Sequence, residues 1–133
     1  MDKKTRNLIN LGALKCCLCG LAITDQKDYS IEHYAPKSRT IPALANNPYN
    51  LRPAFKVLNM IKSDLLPCQW EVVKIERCYR ALKTYNLKAR ERRIVQEAIR
   101  IYENEQPVNP CDDCILSLAP EYCELAKQNS LQR

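Results

Sequence analysis

Residues 30–64 decide the reading of this chain, and they do so in three pieces. They are Ser30-Ile31-Glu32-His33-Tyr34-Ala35-Pro36-Lys37-Ser38-Arg39, then Asn47-Pro48-Tyr49-Asn50-Leu51-Arg52-Pro53-Ala54, then Leu58-Asn59-Met60-Ile61-Lys62-Ser63-Asp64. The segment before them, 21–33, reads as extended and ends in Tyr29-Ser30-Ile31-Glu32-His33. Residues 34–50 read as a loop rich in Pro, Ser and Asn, in which only Ile41 to Ala45 suggests a helical turn. Pro53 reads as the first residue of a helix, where its missing N–H costs nothing. Phe55, Leu58, Ile61 and Leu65 follow as an inward stripe, and Pro67 is expected to stop that helix.

Working outward, residues 3–14 suggest a short helix with Leu8 and Leu11 on one side, and Cys16 to Gly20 a tight turn. A helix is expected over 70–85, with Val72, Ile75, Tyr79 and Leu82 on its apolar face. Another is expected over 89–104 with Ile94, Val95, Ala98, Ile99 and Tyr102, and a last one from Pro120 to Gln128. The fold class is therefore α+β with helix dominant, in a single domain over residues 1–133. Its parts are a front motif at 16–66, a basic helical pair at 70–104 and a C-terminal segment at 107–133.

The chain has 133 residues, 46% of them hydrophobic and 27% charged, which fits a folded domain rather than a disordered segment. No stretch approaches the roughly 18 apolar residues of a membrane span. The first fifteen residues hold no long apolar run, so a cytoplasmic, intracellular location is expected. The net charge of +6 is uneven, with ten Lys and Arg against five Asp and Glu over 1–70, nine against five over 71–104, and two against five over 105–133. A basic field of that kind suits a phosphate backbone, so nucleic acid, first of all DNA, is the expected partner and a membrane is not. Arg77 and Arg80 lie in the helical half among seven other basic residues that could track phosphates, with Glu76 and Arg80 spaced as an ordinary i,i+4 pair.

His33 is the only histidine. An isolated histidine is usually incidental, but Glu32 precedes it directly, Asn50 lies in the following loop, and Asn59 and Lys62 stand one helical turn apart. An imidazole suits the task of activating water, and one carboxylate with one amide oxygen suits Mg²⁺, which keeps several of its own waters. On that reading Glu32 and Asn59 would hold the cation and Lys62 a phosphate. In an ideal strand, however, Glu32 and His33 point to opposite faces.

These pieces together resemble the HNH, or ββα-metal, nuclease family. The resemblance implies a small ββα-metal motif embedded in a mainly helical, zinc-stapled domain. It implies a Mg²⁺- or Mn²⁺-dependent endonuclease with His33 as general base and Asn50 orienting the His33 region. It further implies Glu32 and Asn59 as ligands of the catalytic cation, Lys62 in the closing Asn-x-x-Lys, and Lys37 in the Pro-Lys-Ser turn beside Arg39, both near substrate. The alternative is a catalytically inactive, zinc-stabilised module that binds nucleic acid or a protein.

Eight cysteines complete the picture. Cys16-x-x-Cys19 and Cys111-x-x-Cys114 have zinc-knuckle spacing, and in a chain without a secretory signal clustered pairs point to metal. Where the resembled family places a second pair, this chain has Phe55 and Leu58. The expectation is one structural Zn²⁺ shared by Cys16, Cys19, Cys111 and Cys114, with Cys17 and Cys123 as possible substitutes. Cys68 and Cys78 read as buried thiols, and separate reduced or redox-active pairs remain the other reading.

Overall fold

The computed structural model describes residues 1–131, with side chains described through 128. Helix α1 spans Lys3–Asn10, where the Asp2 carboxylate caps it by accepting the Thr5 N–H at 2.7 Å. Gly12, at φ +67°, turns the chain out of it. Only Ile9 of α1 is buried, and Leu11 is 79% exposed, so the expected Leu8–Leu11 face is not the packed one.

Strand β1, Tyr29–His33, pairs antiparallel with β2, Leu51–Phe55, with Glu32 opposite Arg52 and His33 opposite Leu51. Between them lie the short helix α2, Pro42–Ala45, and two 3₁₀ turns at Lys37–Arg39 and Pro48–Asn50. Pro53 therefore sits in a strand and not at a helix start. A hairpin of two strands has only edges, where a residue without an N–H is tolerated. Helix α3, Lys56–Lys62, follows at once and lies against the hairpin. It stops at Ser63, whose φ of +55° lies in the left-handed region, four residues before the proline expected to end it.

Pro67 instead opens helix α4, Pro67–Thr84, and helix α5 spans Ala89–Asn104. Each N-terminus is capped by a side chain three residues on: Gln69 Oε1 accepts the Leu66 N–H at 2.9 Å and Glu91 Oε1 the Lys88 N–H at 2.8 Å. Helix α6, Pro120–Leu131, closes the described chain. The architecture is mainly helical with one small β-hairpin beside a helix. Among the described residues, no helix is long and apolar enough to cross a membrane.

Two cores result. The larger joins the Cys16 to Ile23 turn, β2, α3, α4 and α5, and contains Leu58, Trp70, Cys78, Val95 and Tyr102. The smaller joins Ala35, Leu66, Cys114, Ile115, Leu116 and Ala126, holding the C-terminal segment against the loop after β1. The α5 stripe of Val95, Ala98, Ile99 and Tyr102 matches the expected face. The buried stripe of α4 is Trp70, Lys74, Cys78 and Ala81, whereas Val72 is 84% exposed.

Tyr102 ties α5 to the cysteine turn, its buried hydroxyl donating to the Leu18 carbonyl at 2.6 Å. Removing that donor strands a buried carbonyl, so Tyr102→Phe should lower unfolding free energy in urea by about 1–2 kcal/mol. No measurable change would mean that the bond contributes nothing.

Candidate functional site

The end of β1, the loop at Pro36 to Ser38 and the end of α3 enclose an open hollow of about 330 Å³. Glu32, His33, Lys37, Asn59 and Ser63 are on its wall. Strand alternation holds at its centre. Glu32 is 3% exposed and faces α3, while Ile31 and His33 on either side of it are more open.

Glu32 faces Lys62, 3.4 Å away, in a pair with almost no solvent on either side. Lys62 Nζ also donates to the Tyr34 carbonyl at 3.2 Å. Burial pushes the Glu32 carboxyl up to about 7, against the pull of Lys62, and burial likewise drives the Lys62 ammonium down. Glu32 Oε2 has no hydrogen-bond partner among the described residues. The two groups thus neutralise each other inside the protein.

Asn50 is fully buried and works on the backbone. Its Oδ1 accepts the Ala35 N–H at 2.8 Å, and its Nδ2 donates to the carbonyls of Ala35, at 2.9 Å, and Ala45, at 2.8 Å. The Asn50 carbonyl accepts the Tyr34 N–H at 3.0 Å. These bonds close the loop that follows His33. His33 Nε2 lies 3.3 Å from Asn46 Oδ1. Asn59 Nδ2 donates to Ser30 Oγ at 3.1 Å and reaches the Ile31 carbonyl at 3.5 Å, joining α3 to β1.

Asn46, Ser30, Ser38 and Ser63 were not expected in the site. Asn46 follows the one helical turn read in the loop, and its polar side chain just after that turn was the available signal. Ser38 is the serine of the Pro-Lys-Ser turn, and Ser30 and Ser63 carry no signal beyond their position.

The remaining expected contacts divide. Lys37 is exposed on the hollow. Arg39 is 3% exposed and donates to the Ala126 carbonyl at 3.0 Å and to Gln69 Oε1 at 3.2 Å, so it is a structural strut between the loop and α6 and not a surface contact. Arg77 is half-buried and reaches the Ile61 carbonyl at 3.4 Å. Arg80 is exposed and paired with Glu76 at 2.6 Å, as its spacing suggests.

The metal reading does not stand. Among the described residues, no group of three or more His, Cys, Asp and Glu side chains is arranged to hold a metal ion. Glu32 is spent on Lys62, and Asn59 on β1, so they do not form a Mg²⁺ or Mn²⁺ site. Cys16 and Cys19 lie in the larger core and Cys114 in the smaller, with Cys111 exposed, so the four cysteines do not form the shared Zn²⁺ site. Cys16 is turned to Cys19 instead. That bond and the N–H groups of Phe55 and Leu18, each 3.4 Å from its sulfur, outweigh burial and lower the Cys16 thiol to about 7.

No protein-family model, curated protein or solved structure matches the chain. A hairpin and helix in ββα-like order are present, but neither a metal-holding cluster nor a match supports membership of the HNH family. The metal-dependent endonuclease, with His33 as its base, is withdrawn with it, and so is the zinc-stapled domain. The zinc-stabilised inactive module is no better supported.

Proposed function

We propose that this chain binds nucleic acid through the phosphate backbone, with the hollow beside His33 as its contact point. One observation carries the reading. The hollow offers His33, Lys37, Ser38 and Ser63 to an anion, while of the two carboxylates in its wall Glu32 is paired with Lys62 and Asp64 is itself engaged. Phosphate oxygens accept hydrogen bonds from side chains of these types, and such contacts position a backbone without reading its sequence.

The net charge of the chain has the right sign. The chain carries 21 Lys and Arg against 15 Asp and Glu. Lys83, Lys88 and Arg93, near the junction of α4 and α5, are exposed. Arg77 and Arg80 add to that charge rather than making direct contacts. In this reading His33 is a contact residue, Asn50 holds its loop, and an intracellular, cytoplasmic location brings the chain to its partner.

The test is a fluorescence titration of labelled DNA duplex, with single-stranded DNA and RNA as further arms, across a range of salt. The logarithm of the binding constant should fall linearly with the logarithm of salt. Lys37→Ala should reduce that slope by about one and weaken all sequences alike. Absence of binding to every oligonucleotide at about 50 mM salt would sink the proposal. So would a Lys37→Ala variant with an unaltered slope.

A further inference from the structure

The second cysteine pair lies in a different setting from the first. Cys68, Cys111, Cys114 and Cys123 all line one small cavity of about 40 Å³ between the start of α4, the 3₁₀ turn at Pro110–Asp113 and α6. They share that wall without forming a metal-holding group. Cys111 is exposed, Cys114 is buried, and Cys68 and Cys123 are half-buried.

We infer that Cys111 is a thiol–disulfide exchange site for small-molecule disulfides, with Cys114 as its resolving thiol. Three features of the geometry support this. First, Cys111 is the one exposed thiol of the four, so an incoming disulfide meets it before the others. Second, the Cys114 N–H donates to the Cys111 carbonyl at 3.3 Å, closing a 3₁₀ turn. Side chains three apart in such a turn eclipse, which sets the two sulfurs on one side. Third, Cys111 and Cys114 line the same small cavity, so the two thiols share one space. Burial raises the Cys114 thiol, so the exposed Cys111 is the one that meets the incoming disulfide first.

The exchange balances as follows. The Cys111 thiol gives its proton to water, and its thiolate attacks one sulfur of the small disulfide. The S–S bond breaks, and one thiolate leaves and takes up a proton. The Cys114 thiol then loses its proton, and its thiolate attacks the Cys111 sulfur of the mixed disulfide. The second small thiolate leaves and is protonated in turn. The protein is oxidised by two electrons, and the small disulfide is reduced to two thiols.

Glutathione disulfide is the probe. The whole protein is incubated with it, its free thiols are trapped by alkylation, and the products are mapped by peptide mass spectrometry. Wild-type protein should form a Cys111–Cys114 disulfide and release two equivalents of glutathione. Cys114→Ser should stop at a stable glutathione adduct on Cys111. Cys111→Ser, a change at an exposed position, should slow glutathione release by roughly tenfold or more and leave Cys114 reduced.

Three results would overturn the proposal. One is first modification at another cysteine, such as the half-buried Cys17. Another is unchanged release from Cys111→Ser. The third is a pocket whose four thiols resist alkylation until a chelator is added, because a metal would then occupy it.

Discussion

Replacing Asn50 with alanine should lower the unfolding free energy by about 3–5 kcal/mol, measured by urea denaturation. Three partners lose their bond at once: the Ala35 N–H, the Ala35 carbonyl and the Ala45 carbonyl. Asn50, Ala35 and Ala45 are all shielded, at 0%, 0% and 1% exposure, so water cannot take its place without the loop opening. Each stranded buried group costs about 1–3 kcal/mol, and the three share one side chain, so the sum falls below three separate maxima. Asn50→Asp is the informative companion. It keeps the acceptor for Ala35 N–H but turns both donor bonds into contacts between oxygens, and it adds a charge that burial disfavours. Its deficit should therefore shrink as the pH falls and the carboxyl takes up a proton. The Ala35 amide should exchange with solvent faster in both variants. A loss under about 1 kcal/mol in Asn50→Ala would show that the loop holds its shape without this side chain.

The sequence spoke most clearly where one face of one element decides the outcome. Val95, Ala98, Ile99 and Tyr102 repeat at helical spacing, and α5 buries that stripe. In α4 the same reasoning selects Val72 and Tyr79, yet both are exposed and Lys74 is buried. Tertiary pairing wins there. Lys74 meets Glu71 at 3.0 Å, one helical turn back, but also Glu105 from beyond α5 and the Tyr102 ring at 4.2 Å, neither of which helical periodicity encodes. Pro53 misled for a related reason. It suits a helix start and an edge strand equally, and pairing with Ile31 decided between them. At the site, the order of Glu32, His33, Asn50, Asn59 and Lys62 along the chain did mark residues that fold near one another. It did not reveal that the charges would cancel. Glu32 and Lys62 are separated by 30 positions, and only the packing of α3 on β1 makes them partners. The Cys-x-x-Cys spacings were equally local. They state that each pair can act together, but not that Cys16 and Cys19 lie in one core and Cys114 in the other, with Cys111 exposed.

Removing the amine from that buried pair gives the other large effect. Lys62→Met should destabilise the fold by about 3–5 kcal/mol near about pH 9, where ionised Glu32 is left without the one charge partner it has among the described residues. The double variant Glu32→Leu/Lys62→Met should recover to within about 1 kcal/mol of the parent, because apolar packing replaces two desolvated charges. The pH dependence follows from the raised Glu32 carboxyl, which moves from its ordinary 4.5 to about 7 in the folded chain. Between those values the folded state holds a proton that the unfolded chain has released. Stability from this group is therefore full below the ordinary carboxyl value and is lost as pH rises through about 7. The lowered Lys62 ammonium acts in the opposite sense, adding stability as pH climbs toward the ordinary lysine range. Without Lys62, ionised Glu32 has no compensation, so the deficit of Lys62→Met should be small near about pH 5 and grow toward about pH 9. The double variant should lack that trend altogether. If Lys62→Met lost the same stability at both ends of this range, Glu32 would not be the group that the buried amine neutralises.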